Sequence, residues 1–368
     1  MIGPNAVPKG RSLLIVGPLP PPIGGSPLTL QAFVDELSKD PSVRLAIINT
    51  SPARDPREKM TGFNLEKVRR MALILAEYVR RIRGTGAVLV FANNLFAVTM
   101  VPVLLLVARS VHARFFIKPV GGNLDQYLAD HGKLIQAYLL RVLRSTDGVL
   151  AQTRLLQAGL TRLGCPNAHY VPGCRSLPEI VRPTNGRGPG LNLVFLSHIH
   201  GDKGPLVLLE ALQIVAQTCP TPVRCDFYGP IHAAIREEFL HRLEATPNTR
   251  YCGVVTVGDA PRVIAGYDAL ALPTFFACEG HPGVIIEAMH AGVPVISTQH
   301  RAIAELVTDG ENGLLVPVRD REALAQAIGR LALDPPLRDR MARANQRRAR
   351  EFSGEVIVAH MLEIVFPE

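Results

Sequence analysis

Two glutamates eight residues apart, Glu279 and Glu287, stand in the segment Cys278-Glu279-Gly280-His281-Pro282-Gly283-Val284-Ile285-Ile286-Glu287-Ala288-Met289. The segment follows a strand-like apolar run and contains a proline suited to a helix start. Glu279 and Gly280 therefore fall in a loop, with Glu287 just over one turn inside the helix. Carboxylates placed like this can address two parts of one extended ligand. The backbone N–H groups of residues 282–285 and the positive helix end favour a phosphate beside them. A lysine between glycines, Lys203 in Ser197-His198-Ile199-His200-Gly201-Asp202-Lys203-Gly204, adds a cation able to neutralise an anionic group. Near the amino terminus, Gly24 and Gly25 precede Ser26-Pro27 and let the backbone approach a ligand at a helix start.

The elements that must position these residues alternate between short β-rich runs and longer helical patterns, which implies parallel sheets covered by helices. Residues 13–16, 88–91, 114–117, 149–152 and 168–171 read as buried strands of a first half. Ser26 is expected to cap a helix whose apolar positions are Leu30, Phe33, Val34 and Leu37, and residues 95–108 are expected to form one crossover helix. Residues 172–190 are rich in Pro and Gly and mark a boundary. Beyond it come strands at 193–196, 223–228, near 251, at 269–272 and at 293–297, with helices at 205–215 and 233–243 and a helix capped by Asp320. This predicts an α/β protein with one domain at 1–185, a second at 186–352 and a terminal helix at 353–368. Ligands of open α/β sheets bind at the carboxyl ends of the strands, and two such domains leave a cleft.

At Glu279 the chain reads E-G-H-P-G-V-I-I-E-A-M-H-A-G-V-P-V-I, which resembles the E-G-x-P-x-V-x-x-E-A-M-A-x-G-x-P-V-I motif of retaining GT-B glycosyltransferases of the family 4 type (glycosyl transferases group 1). Residues 305–316 are similar to the family's next motif, and residues 197–204 to its G-R-x-x-x-x-K-G loop. The resemblance implies two Rossmann-like doubly wound domains, the first (1–185) binding the acceptor and the second (186–352) the nucleotide sugar, with the terminal helix (353–368) crossing back to the first. It implies that Glu279 contacts the donor sugar hydroxyls, Glu287 the ribose and Lys203 the diphosphate, with Gly280, His281, Pro282, Gly283, Val284, His198, Gly24 and Gly25 lining the donor. Asn93, Lys118, Gly121 and Gly122 fall on the acceptor side. Two departures stand out. The family's arginine is His198 here, and a neutral imidazole does not replace a bidentate guanidinium. Its histidine before the Gly-Gly pair is absent, the chain reading Lys118-Pro119-Val120-Gly121-Gly122. The resemblance further implies a front-face mechanism in which the leaving phosphate takes the acceptor's proton. No Asp-x-Asp pair occurs, so no metal and no other cofactor is expected.

Composition bounds the partners. The 368 residues are 47% hydrophobic and 20% charged, and 40 Lys and Arg against 32 Asp and Glu give a net charge of +8. Disorder is excluded, and anionic partners fit the charge. The six cysteines form no C-x-x-C pair, which suits a reduced cytoplasmic setting. The N-terminal residues lack a secretory pattern, and the run 95–108 is shorter than the roughly 20 residues a membrane span needs. The basic stretch 67–83, with Lys67, Arg69, Arg70, Arg80, Arg81 and Arg83 among apolar residues, suits an anionic membrane surface, such as the inner face of the plasma membrane. Taken with the family resemblance, which implies a nucleotide-sugar donor, the expected partners are a UDP- or GDP-linked sugar and a lipid-linked acceptor. Nucleic acid is not expected, because aromatics are only 5% and stacking platforms are lacking. Two other functions fit the residues: a GT-B-fold nucleotide-sugar epimerase, or a basic protein that binds membrane or nucleic acid without catalysis.

Overall fold

The computed structural model of the chain describes residues 11–21, 24–51, 65–175, 180, 190–256 and 258–367. Parallel strands are buried on both faces and so read as unbroken apolar runs. The strand Ser12–Gly17 (β1) does this, with Leu13 to Val16 all in the core. In order follow α1 (Gly25–Leu37), β2 (Arg44–Asn49), α2 (Leu65–Arg81), β3 (Ala87–Ala92), α3 (Asn94–Thr99), α4 (Val101–Ser110), β4 (Arg114–Pro119), α5 (Leu124–Ala129), α6 (Lys133–Arg144), β5 (Gly148–Ala151), α7 (Arg154–Arg162) and β6 (Ala168–Tyr170). The second half runs β7 (Leu191–Leu196), α8 (Pro205–Thr218), β8 (Val223–Tyr228), α9 (Arg236–Glu244), β9 (Thr249–Tyr251), α10 (Ala260–Ala265), β10 (Ala269–Leu272), α11 (Gly283–His290), β11 (Val295–Thr298), β12 (Gly313–Val316), α12 (Arg321–Leu333), α13 (Pro335–Ala349) and α14 (Gly354–Val365).

The chain divides into two units, residues 1–175 with 354–368, and residues 176–353. The boundary expected near 185 falls on residues outside those described. Each unit holds one six-stranded parallel sheet, ordered β2-β1-β3-β4-β5-β6 in the first and β12-β11-β10-β7-β8-β9 in the second. In the first unit, α1 and α14 cover one face of the sheet through Leu30, Phe33, Leu37, Ile357 and Met361. Helices α2, α4 and α6 cover the opposite face through Ile74, Tyr78, Leu104, Leu139 and Leu143.

Several local expectations need correction. The first helix is capped by Gly24, in extended backbone, and Ser26 lies inside the helix. The stretch 95–108 is two helices, because Met100 closes α3 and Pro102 occupies the first turn of α4, where a missing N–H costs nothing. The span 233–243 opens with a 3-10 turn before α9. Asp320 caps α12 as expected, its carboxylate accepting from the Ala323 N–H at 2.8 Å.

Candidate active site

In the second unit the loop after β7 is fixed by close backbone contacts. Ile199 bridges Ile231 in the loop after β8, and the His200 ring starts the short turn Gly201–Lys203 by accepting from the Asp202 N–H at 3.3 Å. Gly204 ends that turn with φ +76°, where a Cβ would lie 2.2 Å from the Pro273 carbonyl oxygen. Only glycine fits both the conformation and the space. The Phe275 N–H donates to the Asp202 carbonyl at 2.8 Å, tying this loop to the one after β10.

These contacts bring Lys203 to Glu279. The ammonium donates to Glu279 Oε2 at 2.6 Å, and the Thr274 hydroxyl donates to the same oxygen at 2.7 Å. Thr274 is held in turn by the Thr298 hydroxyl, which donates to its carbonyl oxygen. The Lys203 ammonium also lies 4.6 Å from the centre of the Phe276 ring. Glu279 is buried and Lys203 is mostly covered, so the pair has little water to screen it. The two residues that the sequence places on separate parts of one ligand are thus bonded to each other.

The segment after Glu279 is only partly as expected. The helix begins at Gly283, and Pro282 caps it with a ψ of 117°. Of residues 282–285, proline has no N–H and the Ile285 N–H donates to the Pro282 carbonyl at 3.0 Å, which leaves Gly283 and Val284 as first-turn donors. Gly280 is buried, and Glu287 is buried inside α11. His281 requires correction as a ligand-lining side chain: it has no exposed area, its Nε2 lies 3.2 Å from Glu305, and its ring stands edge-on to Phe352. His198 is exposed at the end of β7.

The residues singled out in the first unit are largely used by the fold. Lys118 requires correction as an acceptor contact. It lies in β4 at 2% exposure, and its ammonium donates to the carbonyl oxygens of Val171 and Pro172. Burial drives its pKa down to about 7, against a smaller opposing effect of Cys174. The Cys174 thiol is pushed up to about 12, again chiefly by burial. Asn93 is exposed, but its side-chain oxygen caps α3 by accepting from the Phe96 N–H at 2.9 Å. Gly121 has φ +104° and Gly122 is buried. Gly24 and Gly25 sit at the amino end of α1, where a Cβ on Gly24 would make only an ordinary contact with Pro27 and one on Gly25 would meet nothing within 4 Å.

Sequence reading missed Thr274, which no local pattern marks. It also missed the ring pair His200 and His232, whose centroids are 4.8 Å apart beside the Lys203 turn. The approach of the loops after β7 and β8 creates that pair. Among the described residues, no three His, Cys, Asp or Glu side chains converge as ligands for a metal ion, and no helix is long and apolar enough to cross a membrane.

Two doubly wound units, with a lysine–glutamate pair at the carboxyl ends of the second sheet, define a GT-B-type fold. Residues 190–334, most of the second unit, match the family described as glycosyl transferases group 1. The chain is similar to a putative colanic acid biosynthesis glycosyltransferase of Salmonella typhimurium, with 27% identity over 228 residues, 59% of this chain and 56% of the relative. It is 35% identical to a phosphatidyl-myo-inositol mannosyltransferase of Mycobacterium leprae over 204 residues, 54% of this chain and 52% of that protein. The chain therefore spans about half the length of the curated relatives it matches. Among solved structures, HepE of Anabaena in complex with UDP and glucose superimposes with a TM-score of 0.72 at 16% identity, covering 98% of this chain and 100% of that one.

Proposed function

We propose that the chain is a retaining glycosyltransferase that moves a sugar from a UDP- or GDP-linked donor to the hydroxyl of a lipid-linked or glycan acceptor. Its setting would be bacterial cell-envelope polysaccharide synthesis, with the protein at an anionic membrane surface on the cytoplasmic side. The observation that carries this reading is the Lys203–Glu279 pair, set beside the donors that open α11 in the unit that matches the family. The names of the relatives and the UDP-bound neighbour support the same direction.

In this reading the donor diphosphate lies against Lys203 and the Gly283 and Val284 N–H groups, which take up charge as the bond from the anomeric carbon to the phosphate oxygen breaks. Glu279 exchanges its bond to Lys203 for the sugar hydroxyls, and Glu287 holds the ribose. The acceptor oxygen forms the new bond on the face the phosphate leaves, and its proton passes to a diphosphate oxygen. Products are the glycoside and a nucleoside diphosphate. No metal is assigned a part in these steps.

Nucleotide release from a panel of UDP-, GDP- and ADP-sugars, with and without membrane-extracted acceptors, tests the proposal. Silence across the panel overturns it. Isomerisation of the donor with no acceptor present would replace it with the epimerase reading. Proton NMR of the first-formed product reads the anomeric configuration, and an inverted product rejects retention.

A further inference from the structure

Helices α2, α4 and α6 lie side by side on one face of the first sheet. The Tyr78 hydroxyl of α2 donates to the Leu104 carbonyl of α4 at 3.0 Å, and Arg109 at the end of α4 donates to the Ser145 carbonyl just after α6 at 2.8 Å. Their inner sides fill the core described above, and their outer sides are anomalous. Of the thirteen exposed large apolar side chains among the described residues, nine lie on α2, α3, α4 and α6. Leu134 is 89% exposed, Leu106 67% and Leu95 68%, with Leu73, Ile135 and Tyr138 also open. A surface that concentrates large apolar groups in this way marks a contact site. The same four helices carry nine Lys and Arg against only Glu66 and Glu77, an excess close to the chain's whole net charge of +8.

We propose that the outer face of the α2, α4 and α6 layer docks on an anionic lipid bilayer, with Leu106, Leu134 and Tyr138 entering the headgroup region and Lys133 and Arg141 meeting lipid phosphates. Apolar side chains flanked by cations suit that boundary, where the apolar part leaves water and the charge stays among anions. An apolar partner protein would not call for so one-sided a charge. The inference rests on the proposed membrane setting and deepens it: the basic stretch of α2 is one edge of a three-helix surface whose most exposed apolar groups are on α4 and α6. The donor site lies in the other unit, so the two assignments can fail separately.

The test is co-sedimentation of the full chain with vesicles of phosphatidylcholine alone and of phosphatidylcholine with phosphatidylglycerol in equal parts. The chain should pellet with the mixed vesicles only, and less as salt rises. Lys133→Glu combined with Arg141→Glu should lower partitioning by at least about tenfold, since each cation contributes about fivefold near such a surface. Leu106→Ser combined with Leu134→Ser should weaken it at every salt concentration. Both double variants should keep wild-type circular dichroism and wild-type turnover of a soluble donor. Equal pelleting of wild type and variants overturns the proposal. So does self-association in sedimentation equilibrium that the leucine variant abolishes, which would assign the face to a second copy of the chain. No pelleting with turnover intact overturns the docking face and leaves glycosyl transfer standing. Pelleting without turnover on any donor upholds the face and removes the enzyme reading.

Discussion

Both units rest on six parallel strands, yet the polar groups at the carboxyl ends of their sheets are satisfied differently. In the second unit Lys203, Glu279 and Thr274 answer one another side chain to side chain, a set that a charged ligand can reopen. In the first unit the backbone consumes the two that the sequence singles out: Lys118 is bound by two main-chain carbonyls and Asn93 by an amide of its own helix. A backbone partner is permanent, while a side-chain partner can be exchanged. The contrast teaches that a polar residue at a strand end becomes a binding group only when the fold leaves it a replaceable partner.

The largest effect should come from breaking the exchangeable set. Glu279→Ala is expected to lower turnover by roughly 10²–10³-fold, the scale of losing one preorganised polar group from an active site. It also strands the Lys203 ammonium, and truncating one member of a covered pair costs about 3–5 kcal/mol of stability. Glu279→Gln separates the two, since it keeps an acceptor for Thr274 and removes only the charge. Steady-state nucleotide release alongside denaturant unfolding reads both, and wild-type turnover in the alanine variant would sink the site assignment.

Next in size is the permanent set. Because Lys118 holds its proton only below a pH of about 7 when folded, and up to its ordinary value of 10.5 when unfolded, the unfolded chain binds the extra proton between them. Stability should therefore rise with pH across that window, and the deficit is complete below about 7. The contribution is on the order of a few kcal/mol. Lys118→Met should remove it, and the quantity to measure is the wild-type-minus-variant difference in unfolding free energy from pH 6 to 10. A difference that does not change with pH would show that the lysine stays charged.

Two glycines sharpen the comparison further. Gly204→Ala forces a Cβ against the Pro273 carbonyl at positive φ and should cost about 1–3 kcal/mol or more in denaturant unfolding. Gly25→Ala meets open space, so its stability should stay within about 0.5 kcal/mol of wild type. Loss of turnover in that stable variant would show that the opening at α1 serves a ligand.

The fold was legible wherever strands are buried on both faces. Runs such as Leu13 to Val16 announce themselves, whereas sequence reading misses the edge strand β2, which carries the run Leu45 to Ile48 and is only half covered. Ser26-Pro27 looked like a cap because short-range signals do not show that the extended Gly24 already fills that role. The candidate site was legible as a set of residue types, since the motif around Glu279 is local. Its wiring was not: Lys203 and Glu279 are 76 residues apart, and their bond depends on the Gly204 and Asp202 contacts that fold one loop over the other. The burial of Lys118 was hidden for a different reason. Lysine is an outward-facing residue by habit, and only the apolar company of β4 hints that this one turns inward.

The return of α14 to α1 has a consequence for biogenesis. The first unit is discontinuous, and the residues that close its α1 face, Ile357, Val358, Met361 and Val365, are the last of its core to be translated. The second unit emerges whole from the ribosome while Phe33 and Leu37 still await their cover. The inserted unit can therefore finish folding first, and a chain cut short within α14 would expose the core of the unit translated earliest.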